Sequence, residues 1–263
     1  MSLLSVKNLT IRDKRTNNIL VQDLSFELSL GKVLGIIGES GSGKSLTCKA
    51  ILGLNPDWLE ASGSVLFETE ELLGKSHKDL RKIRGKKIAM VLQDAMNAFN
   101  PLYRVGHQMV ESLCEFMSTA QAKKLSLQWL VKMGFEKPEV VFKSYAHELS
   151  GGMLQRVMIA LALAQETQII IADEPTSALD VIHQHEIINL FASIRDEKHS
   201  LIFVSHDLGI VSYLADDVLV MKEGKGIEYK PSQNLFSNPE HEYTNYLIQT
   251  RRTISQRFSQ CLA

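Results

Sequence analysis

The run Gly38-Glu39-Ser40-Gly41-Ser42-Gly43-Lys44-Ser45 constrains this chain more than any other eight residues. It follows Val33-Leu34-Gly35-Ile36-Ile37, a short apolar run of the kind that forms a strand buried on both faces. It precedes Leu46 to Leu54, where apolar residues recur at helical spacing. Strand, glycine-rich turn and helix start in succession make an anion cradle. Glycines let the backbone turn tightly and aim N–H groups inward with no side chain in the way. The helix adds its unpaired first N–H groups and the positive end of its dipole. The spacing G-x-x-x-x-G-K-[ST] therefore predicts a polyphosphate site. Gly38 through Leu46 would surround the phosphates, Lys44 would reach the β and γ positions, and the Ser45 hydroxyl would sit on Mg²⁺. A merely flexible Gly-Ser turn leaves the buried strand before it and the helix after it unexplained.

The rest of the chain alternates in a way that suits such a site. Ser5 to Ile11 and Leu24 to Leu28 alternate apolar with polar, the half-buried strand pattern, and Ser64 to Glu68 reads as an edge strand. Lys87 to Leu92, Gln168 to Ala172, Leu201 to Val204 and Val218 to Met221 read as further strands. Val181 to Glu197 and Leu208 to Ala215 read as helices between them. Between Asp94 and Leu163 strand patterns vanish, and Gln108 to Met117 and Gln121 to Met133 are helical. The expectation is an α/β fold with a mostly parallel sheet, a flanking antiparallel β region and an inserted helical subdomain.

Length and composition set bounds. The 263 residues allow one large domain or two small ones, with a core that needs no staples. A net charge of −1 gives no global case for a nucleic-acid partner. Three scattered cysteines, Cys48, Cys114 and Cys261, form no CxxC pair, which argues against a disulfide framework or a cysteine zinc site. No apolar stretch approaches 18 residues, and no signal peptide is legible at the N-terminus. Any work on a membrane is expected through a partner.

A second constellation completes the chemistry. Ile169-Ile170-Ile171-Ala172-Asp173-Glu174 is an apolar strand ending in two carboxylates. Asp173 is placed to hold Mg²⁺, directly or through water. Glu174 is the candidate general base for an attacking water. Leu149-Ser150-Gly151-Gly152-Met153 opens a helix, with Ser150 a candidate N-cap and two glycines that permit a close phosphate. His206 follows the strand Leu201 to Val204 and is placed to hydrogen-bond a γ-phosphate.

In this order the motifs resemble those of the ATP-binding cassette (ABC) ATPases, a phosphate-loop NTPase (RecA-like) family, and the resemblance covers almost the whole chain. It implies ATP and Mg²⁺ as cofactors. By resemblance Gln93 is a glutamine that senses Mg²⁺ and γ-phosphate, and Ser150, Gly151 and Gly152 form the signature. Asp180, in Ser177-Ala178-Leu179-Asp180, belongs to the loop after the strand carboxylates, and His206 is the switch histidine. The family mechanism sets two ATPase subunits head to tail, each signature facing its partner's phosphate loop. One chain then carries two half-sites.

Gln93-Asp94-Ala95-Met96-Asn97-Ala98-Phe99-Asn100-Pro101 and Asn238-Pro239-Glu240-His241-Glu242-Tyr243-Thr244 look like segments of the oligopeptide, dipeptide and nickel importers, and Gly43-Lys44-Ser45-Leu46-Thr47-Cys48 and Ser150-Gly151-Gly152-Met153-Leu154-Gln155-Arg156 look most like the nickel and metallophore branch. The resemblance implies an ATPase domain over residues 1–230, a helical subdomain inserted at about 94–157 and a C-terminal extension over 231–263. It further implies membrane permease subunits docking near Phe99 and Pro101, a second ATPase subunit (a paralogue or a second copy) and an extracytoplasmic substrate-binding protein. The location implied is the cytoplasmic face of the cell membrane, peripherally, with no nucleic acid expected. The cargo implied is nickel or a metal–metallophore complex, with oligopeptides or dipeptides as the alternative. A soluble ABC ATPase acting on nucleic acid is the reading from a different class, and the short insertion and single cassette speak against it.

Three features depart from the pattern or stay outside it. No aromatic stands near Asp13, where relatives of the family stack one on adenine; either Arg12 or Arg15 replaces it through its planar guanidinium, or adenine contact is weaker and base selectivity looser. Lys75 to Lys87 is basic against Asp79 alone and reads as a solvated face. His183 and His185, at i and i+2, do not face each other on a helix and read as solvated positions.

Overall fold

The computed structural model describes residues 2–193 and 199–250. In chain order its elements are β1 (Ser2–Asp13), β2 (Ile19–Ser29), β3 (Val33–Ile37), α1 (Lys44–Ile51), β4 (Leu59–Phe67), β5 (Glu70–Glu71), α2 (His77–Leu80), β6 (Ile88–Val91), α3 (Val105–Leu113) and α4 (Thr119–Lys132). There follow α5 (Pro138–Lys143), α6 (Gly151–Ala164), β7 (Ile169–Asp173), α7 (Val181–Ser193), β8 (Ser200–Val204), α8 (Leu208–Leu214), β9 (Asp217–Lys222), β10 (Lys225–Pro231) and α9 (Ser232–Ser237). Residues 242–250 form a further helix. The fold is α/β, and the chain divides into two compact units, residues 1–75 with 202–263, and residues 76–201.

The first unit holds an antiparallel sheet in the order β2-β1-β4-β5. Alternation along β1 buries Leu4, Val6, Leu9 and Ile11, and Val6 pairs with Phe26 on one side and Val65 on the other. A register shift between Val6 and Leu9 accompanies the left-handed Asn8, a bulge that keeps the apolar set on one face. The expected edge strand over Ser64 to Glu68 is corrected: β4 runs between β1 and β5, and the two-residue β5 takes the edge. A short edge strand offers little template for stray pairing.

The same unit holds β10, β9 and β3 in that order, β3 with β9 parallel and β9 with β10 antiparallel. All five residues of β3 are buried, and a Cβ on Gly35 would stand 2.4 Å from Val211 Cγ1, so only glycine lets α8 lie this close. The strand β10 was not legible in the sequence, because its burial is irregular and it sits beside polar turns.

The second unit packs α3, α4 and α6 around Leu113, Ala122 and Ala164, with Trp129 and Leu161 against them. Ser118 and Gln121 form a capping box at the start of α4. The helix expected over Gln108 to Met117 begins earlier and ends at Leu113. That expected over Val181 to Glu197 is helical through Ser193, and its last four residues, like Cys261, lie outside the described residues. In this unit β6 and β7 pair in parallel, Ile88 with Ile169 through Val91 with Ala172. Parallel pairing sets the carboxyl ends of two strands distant in sequence side by side, where ligands of open α/β sheets bind.

Candidate functional site

In the first unit the loop leaves β3 and enters α1 through a run of left-handed glycines: Gly38 at φ 150°, Gly41 at 82° and Gly43 at 98°. Sterics enforce two of them. A Cβ at Gly38 would lie 2.2 Å from the Met221 carbonyl oxygen, and one at Gly43 would lie 2.8 Å from Val21 Cγ2. Lys44 is buried, and its Nζ donates to the carbonyls of Gly38 and Glu39, both at 2.8 Å. The lysine thus bridges its own loop and fixes the curve of the cradle. Ser40, Ser42, Ser45 and Leu46 complete the run into α1. His206 follows β8 and lines a cavity of about 550 Å³ together with Gly38, Glu39 and Tyr246. The next residue, Asp207, caps α8 by accepting from the Gly209 and Ile210 N–H groups, which fixes the turn that carries the histidine.

In the second unit Asp173 ends β7 almost wholly buried, at 1% exposure. Glu174 follows in the left-handed region at φ 46°, uncommon for a residue with a side chain. Its carbonyl accepts from the Ser177 backbone N–H and hydroxyl, which close the turn behind it. Gln93, two residues past the paired end of β6, donates from Nε2 to Glu174 Oε2 at 3.3 Å. The parallel register therefore assembles this pair from residues far apart in the chain.

Ser150 caps α6, its hydroxyl accepting from the Met153 N–H at 3.2 Å. Gly151 has open space where a side chain would stand, whereas a Cβ on Gly152 would lie 2.9 Å from the Ala178 carbonyl oxygen. Gly152 is thus seated against the segment that leads to Asp180.

The profile of a family described as ABC transporter matches residues 21–177. This chain belongs to that family. Among curated relatives of this ABC protein, a metal-staphylopine import system ATP-binding protein of Staphylococcus aureus is 46% identical over 98% of this chain and 96% of its own length. An oligopeptide transport ATP-binding protein of Lactococcus lactis is 42% identical over 88% of this chain and 69% of its own. An ATP-binding cassette solved as a dimer in a post-hydrolysis state with ADP and Pi superposes with a TM-score of 0.78 at 27% identity, over 87% of this chain and 98% of that one. This ABC protein is a phosphate-loop NTPase by fold, and it binds and hydrolyses ATP.

Several residues of the ABC cassette carry roles that its sequence did not disclose. His183 is not simply solvated, since its Nδ1 lies 2.6 Å from Asp180 Oδ2, and the Ile182 and His183 N–H groups both donate to Asp180 Oδ1. The His183 hydrogen bond, with those backbone donors, holds the Asp180 carboxyl below its ordinary range. Gln155, buried in α6, donates to the Leu92 carbonyl at 3.2 Å and so ties the signature helix to the residue before Gln93. A glutamine inside an otherwise apolar helix face was the available signal.

The two candidate arginines near Asp13 have different partners. Arg15 lies over Trp58, its Cζ 5.0 Å from the ring centroid. Asp13 grips the same guanidinium through both oxygens, and that grip holds the Asp13 carboxyl down at about 2. Arg12 instead donates to Asn17.

Two surface expectations also change. Phe99 is buried at 8% exposure, so it is not a surface contact. Leu102 and Tyr103, at 79% and 51%, are exposed beside Pro101 instead. The basic run is less bare than it reads, because Lys75 pairs with Glu70 and Lys86 with Glu115.

Proposed function

We propose that this ABC protein powers the import of a metal–metallophore complex, nickel chelates included. The observation that carries the cargo assignment is the 46% identity to a metal-staphylopine import protein over 98% of this chain, against 42% over 88% for the peptide-importer relative. The ATPase role in an importer is common to both relatives' names.

The residues divide the work as follows. Backbone N–H groups between Gly38 and Leu46, other than that of Glu39, bind the polyphosphate, and Lys44 exchanges its loop carbonyls for β and γ oxygens. Arg15, held over Trp58 by Asp13, offers a planar face to adenine. Glu174 orients and deprotonates the attacking water, and Gln93 holds that carboxylate in place. His206 donates to the γ-phosphate. Ser150, Gly151 and Gly152 serve the partner ATPase's nucleotide, and Asp180 lies in the loop that meets that partner.

The donors Ser45, Asp173 and Gln93 suit Mg²⁺, since all offer oxygen to a hard cation. Among the described residues no group of three or more His, Cys, Asp or Glu is assembled. Bound there, Mg²⁺ would neutralise charge developing between the β and γ phosphates.

The assembly follows from the reading. Permease subunits embedded in the membrane receive the exposed Leu102 and Tyr103 surface of the helical region. No helix among the described residues is long and apolar enough to cross a membrane, so attachment at the cytoplasmic face would run through those permeases. A second ATPase subunit, a paralogue or a second copy, completes the sites, and an extracytoplasmic binding protein supplies cargo. The ATPase domain spans residues 1–230 with its helical subdomain at about 94–157, and the extension spans 231–263.

The test is uptake of nickel, of metallophore-chelated metal and of peptides in cells carrying the wild type or Glu174→Gln at equal levels. Loss of metal uptake alone supports the assignment. Loss of peptide uptake alone keeps the importer and overturns the cargo, and no loss in either overturns the importer.

A further inference from the structure

We propose that Tyr243, on the C-terminal helix over residues 242–250, is a positioning residue for the phosphate loop: its hydroxyl fixes the Glu39 N–H of the loop and so couples the C-terminal segment to nucleotide affinity. The role rests on the reading of Gly38 to Ser45 as the ATP site.

The central contact spans most of the chain. The Glu39 N–H donates to the Tyr243 hydroxyl oxygen at 3.1 Å. The carbonyl of the same residue accepts from Lys44 Nζ at 2.8 Å. Glu39 is therefore held at both ends, by the tyrosine behind the loop and by the loop's own lysine. Release of the N–H end frees the peptide groups on either side of Glu39 to rotate, and Lys44 takes its acceptors from them. Nucleotide binding would then have to order a loop that the hydroxyl now keeps ordered in advance. Preorganisation of this kind acts on affinity.

The tyrosine is itself tightly placed. It is 7% exposed, and Lys222 Nζ stands 4.9 Å from its ring centroid. Burial pushes its hydroxyl pKa up, which keeps it a neutral hydrogen-bonding group at working pH. The end of β9 and the turn after it close on the same loop, since the Gly224 N–H donates to the Ser42 carbonyl at 3.2 Å and Met221 packs against Gly38.

The helix carrying Tyr243 is latched onto β10 just before it starts. Glu228, buried at 9% exposure, accepts from the Glu240 N–H at 2.9 Å and the His241 N–H at 3.2 Å. Lys230 donates to the Asn238 carbonyl at 3.0 Å and pairs with Glu228 at 2.6 Å. The Tyr243 N–H then donates to His241 Nδ1 at 3.1 Å, which sets the first turn. Farther along, Tyr246, Leu247 and Thr250 line the 550 Å³ cavity with Gly38, Glu39 and His206. One helix thus touches the loop through its hydroxyl and faces the switch histidine through its next turns. Any event that moves the extension reaches the nucleotide site by this route.

The experiment compares the full-length wild type with Tyr243→Phe and Glu228→Gln. It measures equilibrium MgATP binding, steady-state ATPase activity, thermal unfolding and hydrogen exchange at the Glu39 amide. Tyr243→Phe keeps the ring and removes the one acceptor, so Kd and KM for MgATP should rise about 3- to 10-fold, the range of one neutral hydrogen bond. kcat should stay within about twofold, and the Glu39 amide should exchange faster. Glu228→Gln loosens the latch and should raise Kd in the same direction with the hydroxyl intact. A folded Tyr243→Phe protein with unchanged Kd and KM overturns the proposal, as does a fall in kcat at unchanged KM. If Tyr243→Phe does not fold, an unchanged Kd in Glu228→Gln overturns it. A wild-type chain that binds no MgATP overturns the ATP-site reading itself, an outcome distinct from these.

Discussion

The Gln93 amide and the Glu174 carboxylate lie 3.3 Å apart although 81 residues separate them in the chain. Each stands two residues beyond a paired strand end, Val91 opposite Ala172, so the register of one parallel ladder sets the contact. Glu174 itself stands in the left-handed region, at φ 46°. Such a backbone costs about 1 kcal/mol or more and persists only where the surroundings enforce it. Here the Ser177 hydroxyl and N–H hold the Glu174 carbonyl.

A proposed base held in this way gives a sharp expectation for its removal. Glu174→Gln should lower kcat for ATP hydrolysis by about 10² to 10⁴, the span of general-base contributions, while MgATP still binds. Single-turnover hydrolysis alongside equilibrium binding separates the two. A variant that hydrolyses ATP at the wild-type rate removes Glu174 from the role.

The loop glycines should differ in their tolerance. At Gly38 a methyl group would meet the Met221 carbonyl oxygen at 2.2 Å, whereas at Gly41 nothing lies within 4 Å. Gly41→Ala should therefore lose only the left-handed penalty of about 1–2 kcal/mol. Gly38→Ala should lose more and bind no nucleotide. Urea unfolding of both variants reads the difference directly, and equal losses would contradict the steric account.

Glu228 makes stability depend on acid. Burial alone would raise its carboxyl, but Lys230, Thr244 and the Glu240 and His241 N–H groups outweigh that and hold it at about 2, against 4.5 ordinarily. A carboxyl depressed in the folded state stabilises at pH above its unfolded value and loses that contribution as pH falls through the folded one. The stability gap between wild type and Glu228→Gln should be full above about pH 5, of the order of 3 kcal/mol, and shrink by that amount toward pH 2. Urea titrations along that range would show it, and a gap independent of pH would refute the latch.

Asp180 titrates for a different reason. Its His183 partner, chiefly by the side-chain hydrogen bond, holds it below 3.8. In a carboxyl-resolved NMR titration, His183→Ala should move the Asp180 midpoint upward toward its ordinary value. An unmoved midpoint would show that the backbone donors alone set it.

Much of this protein was legible in consecutive residues. The strand, glycine turn and helix of the phosphate loop, the carboxylates at the end of β7 and the cap on α6 are local geometry. Each is dictated by backbone preferences over fewer than about ten residues. The helix boundaries near Leu113 and the strand β10 were less legible, because packing against neighbours overrides weak local patterns there. The contact of Trp58 with Arg15 escaped notice since the two residues lie in segments far apart in the chain.

The sequence by itself determined that the chain carries a polyphosphate cradle, a carboxylate pair and a second helix start suited to phosphate, since these depend on bonds between neighbours. The tertiary structure alone decided that Gln93 holds Glu174 and that Tyr243 holds Glu39. Those contacts depend on strand register and on where the C-terminal helix docks. Both are settled by the sum of many weak burials and hydrogen bonds between segments far apart in the chain, a sum that no short stretch of residues contains.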